Sequence, residues 1–178
     1  MHSKELLMDA FDRLPALVAE SLKGLDTAQL QRRPGGTGNS IAWLIWHTAR
    51  VEDAQIASAA GLEQVWLAEG FVTRFGLPLG DRDTGYGHSS EQVEAVRAPR
   101  ELLQEYYDAV HRQTANVLAD IDDPALDRVV DRHWNPPVTL GVRLVSILGD
   151  CLQHVGQAAY AKGLHAGAAE RDGTAAGT

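Results

Sequence analysis

Residues 39–60, NSIAWLIWHTARVEDAQIASAA, constrain this chain more than any other stretch, because a histidine stands in the middle of its most apolar run. Ile41, Leu44, Ile45, Thr48 and Val51 recur at helical spacing, and Asn39 or Ser40 can accept a hydrogen bond from a first-turn N–H as N-cap. His47 then shares a face with Ser40, Trp43, Arg50 and Val51. Taken alone it is either a core histidine with a satisfied ring N–H or a metal ligand, and a ligand needs partners elsewhere in the chain.

The flanking sequence supplies three more helices. From Ser3 to Lys23 the residues Leu6, Leu7, Ala10, Phe11, Leu14, Leu17, Val18 and Leu22 follow a three-and-four spacing, with Pro15 placed to kink or break the helix. Residues 26–33 suit a short helical turn capped by Asp26 or Thr27. Between Gly61 and Ser89 periodicity fails, and glycines alternate with Trp66, Phe71, Phe75 and Tyr86, the pattern of a functional or packed long loop. A third helix runs from Ser90 to Asp122, with Pro99 able to restart it, and a polar segment containing Trp134, Asn135, Pro136 and Pro137 follows. Thr139 is placed to cap a last helix that reaches about Gly163. The expected fold class is all-α: a four-helix bundle with a long loop between the second and third helices, no convincing strand, and helix order left open. Residues 1–164 form this single domain, and 165–178, rich in alanine, glycine and threonine, are expected to be disordered.

In the last helix Asp150 and His154 are four apart, one turn from each other on a face shared with Arg143, Ile147, Gln157 and Ala161. A carboxylate and an imidazole so spaced can bind one divalent ion, and His47 on a neighbouring helix can supply a third ligand, leaving one position open. The same spacing also fits an Asp–His pair on a helix face without any ion. Asp108 and His111, three apart on the third helix, echo a di-iron motif that no second copy completes. His88 and His133 fall in loops and are expected to be exposed, with His88 and Tyr86 as candidates for a pocket mouth, while Cys151 reads as a small core residue.

Composition limits the partners. A net charge of −8 with no lysine- or arginine-rich run argues against nucleic acid or an anionic membrane surface, and favours a small ligand or another protein. The lone cysteine rules out an internal disulfide framework, the start MHSKELLMDAF lacks a signal-peptide core, and no stretch approaches roughly 20 continuous apolar residues. A cytoplasmic location is expected.

The runs NSIAWLIWHTARVED and WNPPVTLGVRLVSILGDCLQHVGQAAYAKG, together with FGLPLGDRDTGYGHSSEQVEAVRAP between them, resemble the DinB-like superfamily in its actinobacterial thiol S-transferase branch. The likeness covers roughly residues 3 to 164. It implies a bundle whose metal site takes one histidine from the second helix, matched by His47, and two ligands from the fourth, matched by Asp150 and His154. Many members carry histidine where Asp150 stands, and the similar mycothiol-dependent maleylpyruvate isomerases carry glutamate; the shorter Asp150 reaches an ion directly or through a water. The resemblance also implies a divalent metal, zinc, and a low-molecular-weight thiol, mycothiol, transferred to electrophiles in detoxification. Trp43, Arg143, Gln157, Tyr86 and His88 are the candidate substrate-binding residues. An isomerase of the maleylpyruvate type and a non-catalytic, stress-related metal-binding bundle are the rival readings, and pairing of two chains into a homodimer is left open.

Overall fold

The structure is a computed structural model that describes the backbone of residues 2–175 and side chains as far as His165. Its first helical stretch is broken where the sequence places Pro15. Helix α1 spans Ser3–Asp12, and α2 spans Leu14–Leu22 with the proline in its first turn, where a missing N–H costs little. The short helix α3 (Thr27–Gln31) is closed by a capping box in which the Asp26 carboxylate accepts from Gln29 N and the Gln29 side chain accepts from Asp26 N.

Helix α4 (Ile41–Ala60) starts with the Ser40 hydroxyl accepting from Trp43 N at 3.2 Å, a cap worth about 1 kcal/mol, and ends at Gly61 in the left-handed region. The loop after it carries two short helices, α5 (Val65–Ala68) and α6 (Phe71–Phe75). The third helix is split as Pro99 allows: α7 (Ser90–Ala95) is capped by Ser89, and α8 (Arg100–Ala119) begins directly after the proline. Thr139 Oγ1 accepts from Val142 N at the start of the last helix, α9 (Leu140–Ala175), which passes the stop expected at Gly163. The segment assigned to a disordered tail lies, from residue 166 on, outside the described side chains.

Helix α4 lies between α8 and α9, and the α1–α2 pair packs against the same two helices from the opposite side, which makes a four-helix bundle. One addition to the all-helical expectation stands before α9. Strands β1 (Val129–Asp131) and β2 (Val138–Thr139) pair antiparallel across the turn that holds Trp134 and the prolines. Three and two residues are too few for an alternating pattern to show in sequence.

The core is built on α4. Residues 40 through 53 are all buried, and these include the polar or charged side chains of His47, Thr48, Arg50, Glu52 and Asp53. A helix flanked by two others normally keeps a wet face, but here the 61–89 loop covers it. Trp66, Phe71 and Phe75 of that loop surround the Tyr106 ring of α8, with ring centroids 4.9 to 5.8 Å away.

Candidate metal centre

His47 projects from α4 with its ring stacked on Trp43, one turn earlier, at 4.5 Å between centroids and 15° between planes. Its Nδ1 stands 2.5 Å from the carbonyl oxygen of Thr84. A carbonyl only accepts, so Nδ1 carries the hydrogen and Nε2 keeps a free lone pair. Burial also holds the imidazole below its ordinary pKa, which favours the neutral, ligating form near neutral pH. The close approach depends on Gly85: a Cβ there would lie 2.6 Å from His47 Nδ1, 3.1 Å from the Trp46 ring and 3.2 Å from the Trp43 ring, and its φ of +93° is a region that disfavours other residues.

Asp150 and His154 come from α9, one turn apart, with His154 Nε2 3.5 Å from Asp150 Oδ1. The hydrogen bond between them holds the Asp150 carboxyl below its ordinary range and the His154 ring above it. His154 Nδ1 donates to Gln157 Oε1 at 3.3 Å, the second histidine whose Nδ1 is occupied by an acceptor. The His47 and His154 rings meet edge to face at 4.7 Å. One ligand atom from each of His47, Asp150 and His154 lies within 4.8 Å of the others, and among the described residues they are the only group of three or more that meets this test. Asp150 Oδ2 is buried with no hydrogen-bond partner, an unsatisfied acceptor of the kind a cation would satisfy.

A second layer fixes the loop over His47. Arg50 Nε donates to the Asp83 carbonyl at 2.9 Å, and Asp83 Oδ1 accepts from Gly85 N and from His88 Nε2, each at 2.9 Å. His88 Nδ1 accepts from Trp43 Nε1 at 3.0 Å. His88 is therefore held at both nitrogens, and its side chain is only 3 % exposed, which corrects the expectation of an exposed loop histidine. His133 does lie in solvent, against Asp131.

Arg50 is itself buried, donating to Asp53 Oδ2 (3.3 Å), the Tyr106 hydroxyl (3.1 Å) and Gln64 Oε1 (2.9 Å), with its guanidinium 4.9 Å from the Trp66 ring centroid. Asp53 accepts from Val65 N and Trp66 N, both at 2.8 Å, and so caps α5 from another helix.

The remaining candidates separate. Trp43 walls His47, Gln157 orients His154, and Arg143 stands two turns from Asp150, donating to Gln55 and Asp131. Tyr86 is 93 % exposed. His111 pairs with Asp12 of α1 and Asp108 accepts from Gln104, so the di-iron echo corresponds to separate contacts. Thr84, Gly85 and Asp83 were missed as site residues, because a carbonyl contact carries no side-chain signature. The Gly85–Tyr86–Gly87 spacing was the one available hint.

Behind the ligands, the Glu52 carboxylate accepts from Tyr107 (2.9 Å), Thr114 (2.7 Å) and more weakly from the thiol of Cys151, which is buried as expected. Burial raises its pKa to about 7 from an ordinary 4.5. The folded state therefore keeps a proton that the unfolded chain loses first. The resulting stability is fully present below pH 4.5 and is lost as pH rises to about 7, an effect of about 3 kcal/mol. Thermal melts of Glu52→Gln and wild type at pH 5 and pH 8 should show the wild type losing more stability than the variant. Equal losses would mean that Glu52 ionises in place without penalty.

A bundle in which the second long helix gives one histidine and the last gives an Asp-x-x-x-His pair defines a class: helical proteins with three candidate ligands converging between two helices. A sequence profile of the Mycothiol-S-transferase family, a DinB-like family, matches residues 6–167. The chain belongs to that family. The crystal structure of a conserved protein from Enterococcus faecalis is similar to it at 34% identity and a TM-score of 0.85, covering 91% of this chain and 96% of that one. A comparison with curated proteins finds no match.

Proposed function

We propose that this chain is a metal-dependent thiol S-transferase in which His47, Asp150 and His154 hold one divalent ion, zinc, and mycothiol is the thiol passed to an electrophile in cytoplasmic detoxification. The observation that supports it most is the convergence of the three ligand atoms within 4.8 Å around a buried, unpartnered Asp150 Oδ2. The donor set is two imidazoles and one carboxylate, the composition of open catalytic zinc sites. Bound there, the ion would supply the positive charge that keeps an incoming thiol, ordinarily of pKa about 8.5, as its thiolate at neutral pH.

The chain's own residues prepare for this. Thr84 takes up the Nδ1 hydrogen of His47 and leaves its Nε2 free, while Gln157 takes up that of His154, whose Nε2 is turned toward Asp150 Oδ1 at 3.5 Å. Trp43 fixes the His47 ring plane and presents an apolar wall. An electrophile held against this wall, in line with the sulfur, gains from orientation alone. No fourth ligand joins the group among the described residues, which supports an open site over a closed structural one.

Metal content of tag-free protein after exhaustive dialysis tests the reading. The expected result is about one zinc per wild-type chain and none in His154→Ala, followed by conjugation activity with mycothiol in the wild type alone. A wild type that holds no metal and takes up none when zinc is added would overturn it.

A further inference from the structure

The last helix has an outer face that the bundle leaves bare. Along α9 the residues Val142, Val145, Gly149, Leu152, Gly156, Ala159 and Gly163 alternate steps of three and four, and all but the half-buried Gly149 are exposed. That is a coiled-coil seam of about three heptads, turned away from the core. Val142, Val145, Leu152, Tyr160 and Leu164 on this face make up half of the exposed large apolar side chains among the described residues. Arg143, Asp150 and Lys162 fall to its flanks, so the strip itself carries no charge from Val142 to Leu164, although 22% of the chain is charged. Beside Leu152 the face continues onto α2 across a groove of about 510 Å³, mainly apolar and lined by Leu17, Val155 and Ala159, with Glu20 and Lys162 adding one charge of each sign.

The glycines of the seam have no use inside the chain. A Cβ at Gly149, Gly156 or Gly163 would meet nothing within 4 Å, so the bundle does not need these positions small. Within a helix each glycine costs roughly 1 kcal/mol relative to alanine, and no contact of this chain offsets that. A helix of another molecule laid along them would, because its backbone could come close. The charge pattern selects the molecule. The strip lacks the lysine and arginine flanks by which an amphipathic helix holds an anionic bilayer. Copies of a chain with net charge −8 repel one another over most of their surface, and here two of them can meet with no charge opposed to a like charge. Absence of charge with an aromatic such as Tyr160 is also the composition of an interface core.

We propose that the outer face of α9, with Leu17 of α2, binds a second copy of this chain, the two last helices packing antiparallel across a two-fold axis. With the axis between Leu152 and Gln153, Gly149 faces the partner's Gly156, Val145 faces the partner's Tyr160 and Val142 faces the partner's Gly163. Small meets small at the centre, and a larger side chain meets a ring or a gap toward each end. The strip is about 34 Å long by helical rise and, with the groove, roughly 20 Å wide, so pairing would remove about 1,400 Å² from water, the size of a stable interface. The inference is independent of the metal reading, since His47, Asp150 and His154 lie off the strip.

Sedimentation equilibrium of the full chain, with and without added zinc, tests it. Wild type should be a dimer in both conditions, so that failure of the metal reading leaves this result in place. Gly156→Arg should weaken the dimer by about 100-fold or more, because it buries an unpaired charge at the centre of the interface. In the single chain the new side chain starts in open space, and circular dichroism should show an unchanged helix content. Under mild oxidation Gln153→Cys, next to the axis, should give a covalent dimer, and Glu101→Cys, exposed on α8, should not; the native Cys151 is buried. A monomeric wild type, a dimer that Gly156→Arg leaves intact, or equal cross-linking at both cysteines overturns the proposal. A monomer that sediments with phosphatidylcholine vesicles would assign the face to lipid and overturn it equally.

Discussion

Asp53→Ala is expected to lower the unfolding free energy by about 3–5 kcal/mol, the largest stability loss of any single side chain outside the apolar core. Both members of the Arg50–Asp53 pair are fully buried. Removing the carboxylate leaves a guanidinium in the interior with only neutral acceptors, the Asp83 carbonyl, Gln64 and the Tyr106 hydroxyl. It also strips two backbone N–H groups, of Val65 and Trp66, of their acceptor. Burial alone pulls the Asp53 carboxyl pKa upward, and hydrogen bonds from Trp66, Tyr106 and Val65 with the charge of Arg50 pull against it, so the carboxylate depends on this whole set. Urea denaturation of the variant beside wild type measures the loss, and a change below about 1 kcal/mol would show that the loop and α4 are held by apolar packing instead.

On the proposed binding of one ion by His47, Asp150 and His154, Gly85→Ala should leave the bundle folded and weaken metal affinity by about 10–100-fold, the range seen when an orienting partner of a metal ligand is lost. The added methyl would fall 2.6 Å from His47 Nδ1 and close to two packed indole rings, none of which is a flexible side-chain end. The backbone must retreat, and with it the Thr84 carbonyl that keeps the hydrogen on Nδ1. Competition with a chromophoric chelator reads the affinity. Wild-type affinity in the variant would mean that His47 finds its tautomer without the loop. The same variant should keep the urea midpoint within reach of wild type, which distinguishes a local effect from the global one expected of Asp53→Ala.

These two residues mark the limit of what the sequence discloses. Leu6 to Leu22, the 41–51 stripe and the spacing of Leu102 to Ile121 announce their helices because one buried face imposes a repeat of 3.6. The Asp150–His154 pair is visible for a related reason, since one helical turn puts both side chains together. Arg50, Glu52 and Asp53 are different: charged residues in the middle of an apolar helix carry no periodic sign of burial, and they become interior through the 61–89 loop over Arg50 and Asp53 and through α8 and α9 side chains around Glu52. The hairpin before α9 was too short to carry a pattern, and the Thr84 carbonyl is a backbone group present in any sequence. Arg143 was visible as a cation on the ligand face, but its partner Asp131 lies on the unforeseen hairpin. What was not legible is, in each case, a contact between segments distant in sequence that leaves no periodic trace.

The ligand set has one further consequence, for the chain as a polymer. Asp150 and His154 share a helical turn, whereas His47 lies about a hundred residues away in sequence, on the helix packed beside theirs. An ion bound to all three would close a loop containing α5 through α8, the hairpin and the start of α9. Closing so long a loop takes more conformational freedom from the unfolded chain than from the folded one, as a covalent cross-link between the same helices would. Metal supply would then set how tightly the two halves of the bundle are tied, and metal withdrawal would act on the lifetime of the protein as well as on its chemistry.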